Sequence, residues 1–266
     1  MELCSIASGS SGNCIYAGTS STQLLIDAGI SGKRIETGLH SLGLKPEDIN
    51  GILITHEHSD HIGGLGVIAR RYEIPIYATK GTIEAVKAIK TLGEIPEALF
   101  REIQTEEPFS IRDITIKPLL VSHDAAEPVA YRLQNGPHSV GVLTDLGCYD
   151  EKTIAHFQDV EALLIEANHD VNMLQVGRRY PYALKRRILG DKGHLSNEHC
   201  GQLLCKLLHP KLREILLGHL SMENNLPELA FETVRLEILM DPCPYRPEDF
   251  NISIAGRDER SALIAV

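Results

Sequence analysis

The stretch Gly51-Ile52-Leu53-Ile54 runs straight into Thr55-His56-Glu57-His58-Ser59-Asp60-His61-Ile62, and no other segment limits the fold so sharply. A short apolar run that ends in three imidazoles and a carboxylate puts a buried strand directly beneath a cluster of metal-type donors. In an extended segment residues two apart point the same way. His56 and His58 can therefore grip one ion, while Asp60 and His61, where the chain turns into a helix, reach a second. Two ions side by side form a hydrolytic centre. A polar loop with merely exposed histidines is the alternative, and the density of donors immediately after a buried strand weighs against it.

With 266 residues, 43% of them hydrophobic and 23% charged, the chain can bury a large core, and residues 1–266 are expected to form one domain. The N-terminus carries no basic leader, and nowhere do about 18 apolar residues run together, which predicts a cytoplasmic protein without a membrane partner. Cys4, Cys14, Cys148, Cys200, Cys205 and Cys243 form no C-x-x-C pair and read as reduced structural thiols. A formal net charge of -10 argues against a general polyanion binder. One segment runs against that average. Arg178, Arg179, Lys185, Arg186 and Arg187 are interleaved with Tyr180 and Tyr182, so a short basic clamp or lid is expected at about 171–192. It would pair with phosphates and stack a base; a solvated helix face is the competing reading.

Along the chain, strand-like and helix-like runs alternate. Strands are predicted at Thr22–Asp27 and Ile74–Ala78, and helices at Ile35–Leu42, Ile62–Tyr72 and Thr82–Ile89, with a short helical turn at Lys45–Ile49. The middle third reads as strands at Phe109–Ile111, Ile114–Val121, Val129–Leu133 and Ser139–Thr144, with Asn135-Gly136 as a hairpin signal. Functional side chains recur at strand ends: His123 after Val121, Asp145 after Thr144, Glu166 after Ile165, and His219 after Gly218. His169 shares the strand exit of Glu166 and is a candidate substrate contact. His40, His138, His156, His199 and His209 read as surface residues. Ser10, Ser11 and Asn13 lie on a Gly-rich loop suited to donating hydrogen bonds to a phosphate.

His56-x-His58-x-Asp60-His61 followed by His123, Asp145 and His219 resembles the five-motif pattern of the metallo-β-lactamase fold, with Asp27 in the place of the first motif's aspartate. The resemblance implies a four-layer αββα sandwich of the α/β (α+β) class with a dinuclear site at the ends of two packed sheets. Among the branches of that fold, the chain most resembles the WalJ/YycJ-type exonucleases, through Ser8–Asn13, Glu166–Asp170, Gly193–Asn197 and His219–Asn225. These stretches also resemble RNase Z, but no inserted tRNA-holding arm is present. The interval from Asp145 to His219 has room only for the basic segment and one short helix, not for the β-CASP domain of ribonuclease J-like relatives.

The resemblance implies that His56, His58 and His123 hold one ion, that Asp60, His61 and His219 hold the other, and that Asp145 bridges them. Nitrogen and oxygen donors of this kind suit zinc, and also admit manganese or iron. Asp27 is expected behind the ligands, orienting the histidine loop. Asp60, Glu166 and His194 are the candidate catalytic groups: His194, poised by Glu166, protonates the leaving oxygen or stabilises the transition state. The bland alternative has His194 capping the helix near Asn197 and Glu166 paired with an arginine. Ser196 joins the candidate substrate contacts.

The function expected is a dinuclear metal-dependent phosphodiesterase on nucleic acid, a 5′ to 3′ exodeoxyribonuclease, with the DNA preference resting on resemblance. Hydrolysis of a small substrate (a cyclic phosphodiester, a lactone or a thioester) is the alternative within enzymes. A noncatalytic nucleic-acid-binding module is the alternative outside them. A homodimer would extend the small basic surface.

Overall fold

In the computed structural model, which describes residues 1–266, the apolar runs pair into two seven-stranded sheets. The first half of the chain supplies β1 (Glu2–Ala7), β2 (Cys14–Gly18), β3 (Gln23–Ile26), α1 (Gly32–Ser41), β4 (Gly51–Leu53), α2 (Ser59–Ile62), α3 (Leu65–Tyr72), β5 (Ile76–Thr79), α4 (Lys80–Ala88) and β6 (Phe100–Ile103). There follow β7 (Phe109–Ile111), β8 (Ile114–Leu120), β9 (Val129–Asn135), β10 (His138–Leu143), α5 (Glu151–Phe157), β11 (Ala162–Glu166), α6 (Val171–Val176) and α7 (Tyr182–Ile188). The chain closes with α8 (Asn197–Leu207), β12 (Glu214–Gly218), α9 (Pro227–Met240), β13 (Asn251–Ile254) and β14 (Ile264–Ala265). One sheet has the order β14-β1-β2-β3-β4-β5-β6 and the other β13-β12-β11-β10-β9-β8-β7.

Side chains alternate across a strand, and here both faces are apolar. Leu24 and Ile26 of β3 pack between the sheets with Leu216 of β12, whereas Leu25 faces Ile35, Leu39, Leu65 and Ile68 of α1 and α3. On the other side Ile215 and Leu217 turn outward against Leu203, Leu204 and Val234 of α8 and α9. Three apolar layers thus separate four structural ones, the αββα sandwich expected.

Local differences have local causes. The single helix expected over Ile62–Tyr72 is two, α2 and α3, interrupted at Gly63-Gly64. Strands β1 and β2 lie outside the sequence expectation: their buried positions are filled partly by Cys4, Ser5, Ala7, Cys14 and Ala17, small residues that give little periodic signal. The edge strands β6, β13 and β14 are short and equally faint. Between Asp145 and His219 lie four helices and a strand, more than the expectation of a basic segment with one short helix.

The two sheets are joined at the histidine loop. The buried Tyr131 hydroxyl of β9 donates to the Ile54 carbonyl at 2.8 Å, and the Val129 amide donates to Thr55 O at 2.9 Å. Behind the loop the backbones lie flush: Ala28 N donates to His61 O at 2.8 Å, and Gly64 N to Ala28 O at 2.7 Å. A Cβ on Gly29 would sit 1.7 Å from Asp60 O, and one on Gly64 would sit 2.0 Å from Ile30 O. Only glycine permits that contact.

Gly29→Ala is therefore expected to destabilise the fold by about 1–3 kcal/mol through overpacking against backbone, and to displace Asp60 and His61. A denaturant midpoint equal to that of wild type would show that the loop yields without cost.

Candidate metal centre

Six strands deliver functional side chains to one edge of the sandwich. Asp27 follows β3, the histidine motif follows β4, His123 follows β8, Asp145 follows β10, Glu166 ends β11 and His219 follows β12. Asp27, Asp145 and His219 take left-handed backbone angles, with φ of 62°, 58° and 55°. Few non-glycine residues enter this region, and Asp and His do so more readily than most. The left-handed residue turns the chain abruptly at the strand end and swings each side chain over the sheet edge.

Hydrogen bonds settle which ring nitrogen faces inward. His61 Nδ1 lies 2.7 Å from Asp27 Oδ2, so its Nε2 points to Asp145 Oδ2 at 3.2 Å and Asp60 Oδ2 at 3.6 Å. Asp27 is fully buried and also accepts from the Thr55 amide and hydroxyl, each at 2.8 Å. His123 Nδ1 donates to Gly193 O at 3.0 Å, which leaves Nε2 facing His58 Nδ1 at 3.3 Å. His56 Nδ1 meets the Thr55 hydroxyl at 3.0 Å, and its Nε2 is buried with no hydrogen-bond partner. His219 Nδ1 contacts Glu166 Oε1 at 2.7 Å, and its Nε2 faces Asp60 Oδ2 at 3.4 Å.

The inward atoms fall into overlapping groups whose members lie within 4.8 Å of one another: His56, His58 and His123; His56, His61 and Asp145; Asp60, His61 and His219. Asp145 is common ground, with Oδ1 within 3.9 Å of His123 Nε2 and 3.5 Å of His219 Nδ1, and with Oδ2 buried and without a hydrogen bond. Buried polar atoms are normally paired. Orphaned atoms of His56 and Asp145 in a ring of imidazoles and carboxylates fit a divalent cation.

Glu166 stands behind this ring, fully buried. Its Oε1 meets His194 Nδ1 at 2.8 Å as well as His219 Nδ1, and its Oε2 accepts from the amides of Leu146 at 3.2 Å and Leu195 at 3.1 Å. Burial alone would raise its pKa, but His194 and His219 outweigh that and bring it to about 2. Burial likewise opposes the charge of His219, yet Asp145, Asp60 and Glu166 hold its pKa at about 10. His61 is raised well above the ordinary range against the same opposition, by Asp145, Asp27 and Asp60. His56 and His123 are lowered, chiefly by burial. His194 ends above its usual value because Glu166 and Asp145 exceed the burial effect.

Four members of the ring, His58, Asp60, Asp145 and His219, line a cavity of about 340 Å³. Of the anticipated contacts, Ser10, Tyr180, Arg187 and His194 line it, together with Leu184 and Ile188 of α7. Others are used differently. Asn13 is buried and closes its own loop, accepting from Gly9 N at 2.9 Å, and its Nδ2 lies 3.1 Å from His61 Nε2. Ser11 is exposed outside the cavity. Ser196, not His194, caps α8 by accepting from His199 N at 3.2 Å. His169 is buried away from the cavity lining, with neither ring nitrogen hydrogen-bonded. Glu166 pairs with histidines, not with an arginine.

The basic segment largely neutralises itself. Arg179 pairs with Glu223 and Arg187 with Asp124, while Lys185 donates to the carbonyls of Gln175 and Gly177 at the C-terminal end of α6. Arg186 lies over the exposed Tyr182 ring, 6.0 Å from its centroid, and Arg178 has no ion pair. Of the histidines read as surface, His40 and His199 are exposed or at the surface edge, but His138 is held by Glu161, His156 by Lys117 O and His209 by Val160 O. Asp124, Asn168, Ser59 and Ser221 border or support the site beyond the residues expected from sequence. Asp124, beside His123, and Ser59, inside the motif, were readable from adjacency alone.

Residues 22–219 match the family model described as the beta-lactamase superfamily domain. The chain is 44% identical to exodeoxyribonuclease WalJ of Streptococcus pneumoniae over 229 residues, 86% of this chain and 85% of that one. It is 41% identical to exodeoxyribonuclease YycJ of Bacillus anthracis over 225 residues, 85% and 84% of the two chains. Among solved structures, the metallo-beta-lactamase fold protein YhfI from Bacillus subtilis superposes with a TM-score of 0.70 at 16% identity, covering 98% of both chains.

Glu166→Gln keeps the shape but removes the charge shared by two imidazoles, and is expected to cost about 3–5 kcal/mol at neutral pH. A carboxyl whose folded pKa is depressed stabilises above its unfolded value and loses that effect as pH falls toward about 2. The gap between wild type and variant should therefore narrow below pH about 4.5. A gap that is constant from pH 7 to 3 in denaturant titrations contradicts the charge account.

Proposed function

The chain belongs to the beta-lactamase superfamily, and on that premise we propose that it is a dinuclear metal-dependent phosphodiesterase acting on nucleic acid, a 5′ to 3′ exodeoxyribonuclease. The observation that carries this reading is the clustering of seven donors, four of which (His58, Asp60, Asp145 and His219) open onto one cavity, backed by the Glu166–His194 pair. The extended likeness to two exodeoxyribonucleases supplies the substrate class.

In this reading His56, His58 and His123 would hold one ion and Asp60, His61 and His219 the other, with Asp145 available to both. When bound, two divalent ions, zinc or manganese with iron also admitted, supply the positive charge that activates water and offsets charge on a phosphate. The chain's own groups do the rest. Asp60, partly open to the cavity, accepts a hydrogen bond from the incoming water. His194 has Nδ1 committed to Glu166, and its free Nε2 carries a proton to the leaving oxygen. Glu166 does not touch substrate; it fixes the tautomer and orientation of His194. Ser10, Ser59 and Ser221 offer hydroxyls along one wall, and Tyr180 offers a ring for a terminal base.

A cavity of about 340 Å³ is at the small end of ligand pockets, which suits a strand end better than a duplex passing through. Residues 171–192 form the lid of a single working domain, and a cytoplasmic location accords with a DNA substrate; no helix is long and apolar enough to cross a membrane. The self-neutralised basic segment and the net charge of -10 favour a second reading, a small phosphodiester, lactone or thioester as substrate.

On 5′-phosphorylated, 3′-labelled DNA with zinc or manganese, product lengths are expected to shorten stepwise from the 5′ end. His194→Ala should slow turnover about 10²–10⁴-fold with metal content unchanged. Intact DNA after incubation with fully metallated wild type would move the assignment to the small-substrate hydrolase.

Metal uptake should release protons, because ligating imidazoles must be neutral while His61 and His219 hold protons in the metal-free protein at neutral pH. Apparent affinity is expected to rise with pH toward about 10, the value of His219. Titration calorimetry in buffers of different ionisation enthalpy reads this directly, and heats independent of buffer would refute it.

A further inference from the structure

We infer that Asp124 is a positioning residue that holds Arg187 over the cavity as a phosphate-binding group, and so ties the one arginine or lysine lining that cavity to the histidine cluster. The inference rests on the proposed phosphodiester reading and deepens it. Both nitrogens along one side of the Arg187 guanidinium, Nε and Nη2, donate to Asp124, the second at 3.0 Å. This bidentate pairing fixes the plane of the guanidinium and leaves the Nη1 donors for a ligand. Asp124 Oδ1 is at the same time 3.5 Å from His123 Nε2 and 3.9 Å from His58 Nε2. One carboxylate thus stands between the lid cation and two imidazoles of the histidine cluster.

Stability does not account for this pair. Its side chains are 51% and 29% exposed, and exposed ion pairs contribute about 0–1 kcal/mol. The neighbouring contacts do point to a role in placement. Ser122 donates to Asp191 O at 2.7 Å and His123 to Gly193 O at 3.0 Å, so three successive residues of the loop after β8 hold the last turn of α7 and the stretch that leads from it to His194. No other cation of the segment can take this part. Lys185 is spent on backbone carbonyls, Arg179 on Glu223, and Arg178 and Arg186 lie outside the cavity lining. In an otherwise acidic chain, Arg187 is the side chain left to meet the charge of a bound phosphodiester.

The test is a double-mutant cycle on the metal-loaded protein, comparing wild type, Arg187→Ala, Asp124→Asn and the double variant, with DNA and with the chromogenic diester bis(p-nitrophenyl) phosphate. Metal content and thermal melting are recorded for each. Arg187→Ala should raise KM about tenfold, the effect of one charge-assisted hydrogen bond, with kcat little changed. Asp124→Asn should raise KM in the wild-type background and add nothing to Arg187→Ala, with metal content unchanged, and Asp124→Glu should recover part of the loss. Effects of the two substitutions that multiply, loss of metal in Asp124→Asn, or an unaltered KM in Arg187→Ala would overturn the inference. Should wild type cleave the chromogenic diester but not DNA, the exonuclease reading falls, and the cycle on the small diester still decides whether Asp124 acts through Arg187.

Discussion

A single carboxylate with no access to solvent organises the half of the site built from the second sheet. Glu166 receives two imidazoles and two backbone amides, and these four donors come from the loops after β10 and β12 and from the turn before α8. An ionised carboxylate in such a place is costly unless every lone pair is used. The cost is offset only while all four partners stay in position, so the three loops are coupled: none can drift without exposing the others to an unpaired charge. His194 and His219 inherit their orientation from that condition.

The first sheet repeats the device with different parts. Asp27 binds His61 and both donors of Thr55, while the Thr55 hydroxyl also reaches His56. Each sheet therefore has a buried acid behind the donors, Asp27 facing His61 and Glu166 facing His194 and His219, and the donor ring lies where the two meet. Tyr131, reaching from β9 to Ile54 O, holds the two halves at a common height. The proton affinities split across this layout. His61 and His219 are raised, chiefly by Asp145 and further by Asp60 and the acid behind each; His56 and His123, which meet a hydroxyl and a carbonyl instead of a backing acid, are lowered, chiefly by burial.

Much of this was readable in the order of residues. The alternation of strands and helices was legible in the apolar runs, the αββα layering came from the resemblance to the metallo-β-lactamase fold, and the donors stood out in the H-x-H-x-D-H run and in acids and imidazoles placed just beyond strands. What could not be read depends on pairings across long separations. Nothing near Asn13 signals that its amide closes a loop against Asp60, and nothing near Ser196 separates a helix cap from a phosphate contact. The run of cations around Arg187 reads as a basic patch because its partners, Asp124 and Glu223, lie 63 and 44 residues away. Periodicity was weakest where small residues fill the core, as in β1 and β2, where Cys4, Ala7 and Cys14 pack tightly without announcing a strand.

The close approach of Gly29 to Asp60 and of Gly64 to Ile30 has a bearing on ion choice. Backbone rests on backbone there, so the loop that carries His56, His58, Asp60 and His61 has little room to move inward. With divalent ions bound, one whose preferred bond lengths match the spacing would be accepted with little adjustment, and one that takes more ligands would draw them from solvent or substrate.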